Sequence, residues 1–300
     1  MRGMRSVWAL VCVFGLGLVV GCAPTGPPRV GAVIPTSERL PQEANGIAFV
    51  RDGGAFVIRD GAAVEVVADG ATKLAVGYSA DGRNLLVTEE RGSRRVVLMV
   101  AGSDEGSETV VLDTREGSAL GTVRVATNPD VVFYSVFGDP STSLMKVKLT
   151  STAPPSVVPL DGSFSGEFDV AASGRSIVYT SEGQNPATVV IREGNKERTV
   201  VAGLATAFTP AFSRDGTHVS FTGAERTGAE LSVWVVKSGS DKPEVVAGTE
   251  GLKPTSPVSS PDGTSIAFRG GEDGSIWIVP AAGGAPQRVA VNADEAPIAW

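Results

Sequence analysis

Two cysteines and one histidine are all that the 300 residues contain of either type. Cys12 falls in the first apolar stretch, so once that stretch is removed Cys22 has no partner and no internal disulfide is possible. A single histidine and a single cysteine cannot supply a tetrahedral zinc site, and no metal or other cofactor is expected. His218 stands between Thr217 and Val219 in a strand-like segment. No Gly-x-Ser-x-Gly elbow offers it a nucleophile, so His218 is read as structural and no catalytic residue is assigned. Sustained helical periodicity is missing as well, which points away from a helical fold. Beyond Cys22 no apolar run approaches the ~20 residues that cross a bilayer as a helix. Positive charge is scarce, 26 Lys and Arg against 33 Asp and Glu for a formal net charge of −7. That balance argues against nucleic acid and anionic lipid surfaces as partners.

What the chain does have begins with Arg2 and Arg5, followed by an apolar run from Val7 to Val20. As a helix this run reaches roughly 21 Å, short of the roughly 30 Å hydrocarbon core, and so reads as a signal peptide rather than an anchor. It ends in Val19-Val20-Gly21-Cys22, which resembles the lipobox of bacterial lipoproteins. The resemblance implies cleavage before Cys22 and acylation of that residue, and two or more acyl chains give stable membrane attachment. Ala23 follows where an aspartate often signals inner-membrane retention, so the outer membrane is expected in an organism that has one. Pro24, Pro27, Pro28, Pro35 and Pro41 mark an extended spacer. The expected division is a signal peptide over 1–21, a spacer over 22–44 and one folded domain over 45–300.

That domain is repetitive. Ala80-Asp81-Gly82, Asn128-Pro129-Asp130, Ala172-Ser173-Gly174, Arg214-Asp215-Gly216 and Pro261-Asp262-Gly263 recur at intervals of 42 to 48 residues. This is the period of a β-propeller blade. Asp accepts local backbone hydrogen bonds in such turns and Gly supplies positive φ, so Asp81, Asp215 and Asp262 are read as turn residues. A strand follows each turn, and two more follow it; Ile47-Ala48-Phe49 begins a sixth set without its own first strand. Ile298-Ala299-Trp300 has the pattern of that missing first strand. The prediction is an all-β, six-bladed propeller of four-stranded antiparallel blades, with residues 294–300 pairing into the first blade to close the ring. Trp234 and Trp277 share one strand position and are assigned to packing between blades. Gly270 to Gly274 lacks the alternating acidic ligands of a calcium loop and is read as a hairpin turn.

Phe212-Ser213-Arg214-Asp215-Gly216 and Ser259-Ser260-Pro261-Asp262-Gly263-Thr264-Ser265-Ile266-Ala267-Phe268 resemble the propeller repeat of the TolB family. The resemblance spans Asn45 to Trp300 and implies six blades. It does not imply the family's role, because the separate N-terminal domain of that family has no counterpart here. If the Asp-Gly turns mark one rim, the longer and more charged connections lie on the other. They carry Arg115, Glu116, Asp139, Glu225, Arg226, Glu250 and Lys253, the candidate partner-binding residues. The expectation is a non-enzymatic, monomeric, lipid-anchored envelope protein that binds a protein, peptide or glycan. The alternative is a carbohydrate-active lyase or hydrolase working through paired carboxylates at the mouth of the channel.

Overall fold

The computed structural model describes residues 44–300, apart from 68–70, 80–81, 83, 92–93, 102–107, 114–118, 127–130, 138–140, 149–152 and 183–186. Cys22, the signal peptide and nearly all of the spacer lie outside the described residues, as do Asp81, Arg115, Glu116 and Asp139. The first sheet holds β1 (Ala48–Arg51), β2 (Gly54–Arg59) and β3 (Ala62–Val67). The second holds β4 (Thr72–Tyr78), β5 (Asn84–Arg91), β6 (Arg94–Ala101) and β7 (Glu108–Asp113). Next come β8 (Ala119–Val125), β9 (Val131–Phe137), β10 (Ser143–Lys148) and β11 (Ser156–Val157). The fourth sheet is β12 (Ser163–Val170), β13 (Ser176–Glu182), β14 (Ala187–Glu193) and β15 (Lys196–Leu204). The fifth is β16 (Thr206–Phe212), β17 (His218–Ala224), β18 (Ser232–Lys237) and β19 (Glu244–Val245). The last is β20 (Thr255–Ser259), β21 (Ser265–Gly270), β22 (Ser275–Pro280) and β23 (Gln287–Ala290). Every sheet is an antiparallel meander of consecutive strands, and together they make an all-β propeller.

The blades number five of four strands, not six, because the first sheet has only three. Residues 294–299 do run beside β1. Ala48 and Ala299 exchange both backbone hydrogen bonds, at 2.8 and 3.0 Å, and Asp294 N–H donates to Val50 at 2.8 Å. They form one isolated bridge rather than a ladder. Pro297 between them has no N–H to give, and Ala296 N–H turns back onto Asp294 at 2.7 Å. The expected fourth strand is thus a broken one.

Six apolar clusters hold the sheets together, and each draws on two neighbours. Phe133 and Leu144 meet Phe168 and Tyr179, for example, while Val178 and Ile191 meet Phe221 and Trp234. The sequence of neighbours returns to its start: Ile47, Phe49 and Ile58 of the first sheet and its approach pack with Ile276, Ile278 and Val289 of the last. Strands covered on both faces need no polar alternation, which is why β17 is buried at six successive positions. Ile298 joins the cluster of Ile47 and Phe49 at 1% exposure. Trp300 packs on it from the side, its indole N–H donating to Asn45 O at 3.0 Å.

Candidate functional site

The Asp-Gly turns and the long connections occupy opposite rims, as strand alternation requires. On the turn rim Asp215 accepts the Ser213 hydroxyl at 2.7 Å and the Thr217 N–H at 3.0 Å. Asp262 accepts Ser260 at 2.6 Å and Thr264 at 3.0 Å in the same way. These bonds, the Ser213 hydroxyl first and then the Thr217 N–H and hydroxyl, hold the Asp215 carboxyl down at about 2 against an ordinary 3.8. The Asp262 carboxyl is lowered from the same causes in its own turn. Gly216 and Gly263 follow at φ of 72° and 73°, the left-handed region the turn demands.

Ser213, Asp215 and His218 stand together, yet the histidine joins that turn through its backbone: its N–H donates to Ser213 Oγ at 3.0 Å. Its ring Nδ1 meets Thr217 Oγ1 at 2.7 Å. The next blade repeats the network as Ser260, Asp262 and Ser265 with no histidine. The grouping is the turn chemistry of both blades. Trp234 is buried and stacked on Phe221, with its indole N–H on Gly223 O at 3.1 Å, and Trp277 packs against the cluster of Ile266 and Phe268. Residues 271–274 form the β21–β22 hairpin, with Asp273 accepting Ser275 N–H at 3.1 Å.

On the other rim Glu225, Arg226, Glu250 and Lys253 are all exposed. The connections that carry them are stitched into a belt. Thr249, fully buried, accepts Val233 N–H at 3.0 Å and so pins the 248–254 connection to β18. Gly271 N–H donates to Leu252 O at 2.6 Å, and Lys253 pairs with Glu272 at 2.7 Å across solvent. The Glu272 hydrogen bond and charge raise the Lys253 ammonium, and Lys253 lowers Glu272. Asn292 N–H donates to Asp273 O at 3.0 Å, and the Asp294 carboxylate accepts Asp52 and Gly53 N–H at 3.2 Å each. Four of the seven candidate residues therefore belong to one ordered surface. Among the described residues its exposed charges are mostly acidic, with Glu225, Glu230, Glu250, Glu272 and Asp273 against Arg226, Lys253 and the Arg288 that pairs with Asp273 at 3.7 Å.

Sequence reasoning named no residue of the channel. Each inner strand, β4, β8, β12, β16 and β20, breaks register with its neighbour midway. In β16 and β20 the break falls at Thr209-Pro210 and Ser256-Pro257, where Thr209 and Ser256 take φ of 50° and 51°. Bulges turn backbone groups out of the ladder, and here they point to the preceding blade. Thr209 N–H donates to Glu167 at 2.7 Å, and Ser256 N–H to Thr209 Oγ1 at 3.2 Å. Asp169 accepts Phe212 N–H at 2.7 Å and the Arg124 guanidinium at 2.8 Å. Arg124 fits because its neighbour is Gly77, whose added Cβ would already touch Nη1 at 3.4 Å. The repeated Thr-Pro and Ser-Pro pairs were the available signal. A second buried pair, Lys73 with Glu89, joins β4 to β5 at the loop rim.

Among the described residues no group of three or more His, Cys, Asp or Glu could hold a metal ion, and no helix is long and apolar enough to cross a membrane. No protein-family model matches the chain, and no curated protein matches it. Solved structures do. TolB from Acinetobacter baumannii superposes with a TM-score of 0.71 at 15% identity, over 87% of this chain and 68% of that one. A putative TolB from Agrobacterium tumefaciens gives 0.62 at 15%, over 84% and 91%. An oligogalacturonate lyase in complex with manganese gives 0.56 at 14%, over 79% and 70%. At such identities the likeness shows the fold: a TolB-like β-propeller.

Proposed function

We propose that the chain is a lipid-anchored, non-enzymatic binding protein of the cell envelope, whose loop rim recognises a protein, peptide or glycan. In this reading the three-stranded sheet and residues 294–300 are together the sixth blade, and Cys22 carries the lipid. The domain faces the periplasm or the cell exterior, from the outer membrane where there are two. The observation that carries it is the belt of hydrogen-bonded connections on that rim, an ordered and charged surface on a rigid ring. The TolB-like fold of two solved structures supports a scaffold of this type. The excess of acidic groups favours partners that present basic ones.

Affinity capture from solubilised envelope with the wild-type chain and with a Glu225→Lys, Glu250→Lys, Lys253→Glu variant tests it. A partner retained by the wild type, lost from the variant and retained by Lys237→Glu is expected. A partner set unchanged by the rim variant removes the rim from the function.

The lyase or hydrolase reading draws on one observation of its own. Glu167 and Asp169 lie two residues apart on β12 and both reach the channel, about 6.6 Å along the strand, inside the spacing of paired catalytic carboxylates. Each, however, accepts a backbone N–H of the next blade, and Asp169 also holds Arg124. That makes struts of them. Turnover of an acidic glycan that is lost in folded Asp169→Asn would reinstate the enzyme.

A further inference from the structure

The fifth and last sheets part at the turn rim around a cleft of about 480 Å³. We propose that this cleft binds a free dipeptide with aliphatic side chains, its carboxylate received by Lys237 and Lys242 and its ammonium by Glu244. The cleft lies on the opposite rim from the loop belt, so it stands or falls separately from the partner reading.

Small residues make the space. On the side of the last sheet the lining includes Gly263, Ala281 and Ala282, where larger side chains would close it. The floor is apolar: Val246 and Ile266 belong to the cluster between the two sheets, and Val235 and Ala281 pack against that cluster. Hydrogen bonds fix the walls. Ser238 Oγ donates to Gly216 O at 2.6 Å, and Arg198 of the fourth sheet donates to Ser240 O at 3.4 Å, so the β18–β19 turn is held from two sides. At the outer end Gly284 N–H donates to Ala247 O at 3.0 Å. A Cβ at Gly248 would lie 2.0 Å from Gly284 O, so only glycine lets that end close. A preformed apolar pocket of a few hundred Å³ with a few polar groups at its mouth is the usual form of a small-ligand site.

Charge selects the ligand. The charged side chains at the cleft are Lys237 and Lys242 against Asp215, Glu244 and Asp262, and the His218 ring beside them is bonded to Thr217 Oγ1 at 2.7 Å. Asp215 and Asp262 are engaged by their own turns. The ammonium groups of Lys237 and Lys242 and the carboxylate of Glu244 have no hydrogen-bond or ion-pair partner among the described residues. Unpaired ions of both signs are matched by a ligand that carries one of each. Spacing sets its length. Glu244 stands opposite Val235, and Lys237 follows two residues along β18 on the same face, about 6.6 Å away. Two residues of extended peptide reach about as far. The volume corresponds to about sixteen waters at about 30 Å³ each, close to the number of non-hydrogen atoms in valyl-valine.

The test uses the full chain in detergent and ligand-observed saturation-transfer NMR with valyl-valine. Beside it stand valyl-valinamide, which lacks the carboxylate, N-acetyl-valyl-valine, which lacks the ammonium, and glycyl-glycine, which lacks the side chains. Saturable binding of valyl-valine is expected, tighter than that of each analogue by about fivefold, the upper worth of one exposed ion pair. The double variant Lys237→Gln, Lys242→Gln should weaken valyl-valine by a similar factor and leave valyl-valinamide as it was. Glu244→Gln should weaken valyl-valine and leave the acetylated form as it was. Ala282→Trp, at an exposed position, should fill the cleft and abolish binding. Lys196→Gln, exposed on the same rim but outside the cleft, and the triple loop-rim variant should bind as the wild type does. No saturable binding, analogues that bind as well as valyl-valine, or an affinity unchanged in the folded Lys237→Gln, Lys242→Gln and Glu244→Gln variants overturns the proposal. Binding that survives Ala282→Trp, or is lost with the loop-rim variant, overturns it too.

Discussion

At the scale of single residues, the turn aspartates make the clearest commitment. Asp215 is held at about 2 in the folded chain against an ordinary 3.8, chiefly by Ser213 and Thr217. A carboxyl lowered on folding adds stability that is present above its unfolded value and lost as pH falls through its folded one. Asp215→Asn should therefore melt below the wild type at neutral pH, by a modest amount because the group is exposed. The gap should narrow from about pH 4 and be largely gone only below pH 2, which thermal melts across that range would show; a gap that does not narrow between pH 4 and pH 2 rules out the carboxylate as its source. His218→Gln should change these melts little and leave any binding by the loop rim as it was, because the turn is held by the His218 backbone N–H and its ring reaches no further than Thr217.

Elements were far more legible than the residues between them. Each expected second, third and fourth strand has its counterpart, down to the two-residue β11 and β19, because apolar runs bounded by Asp-Gly turns leave few other structures. The failure came at 294–300, where Ile298-Ala299-Trp300 reads as a strand but Pro297 denies it a ladder. The channel was illegible for a related reason: Glu167, Asp169 and Arg124 pair across blades, over 42 to 45 residues. No local pattern announces such a bond. Burial of Ile298 at 1% exposure still makes the segment matter. Ile298→Ala should cost about 2–5 kcal/mol by chemical denaturation, and removing 294–300 should expose β1 as a free edge and promote aggregation. A stability indifferent to both changes would mean that this segment is not part of the fold.

For the whole molecule, attachment and assembly are the open quantities. Cys22→Ser should release the protein from membranes, with the N-terminal peptide of the wild type carrying lipid by mass spectrometry; an unmodified wild-type peptide refutes the anchor. Assembly follows from the direction of the inner-strand bonds. Three backbone donors, Thr209, Phe212 and Ser256, each serve an acceptor on the blade before their own. The bonds of Glu167 and Asp169 to Thr209 and Phe212 thus form only when β16 arrives, and that of Thr209 to Ser256 only when β20 does. The last of the ring to appear, residues 294–300, reaches back to β1, the first strand made. The ring is thus fastened as a clasp, its two halves being the first and last segments of the fold.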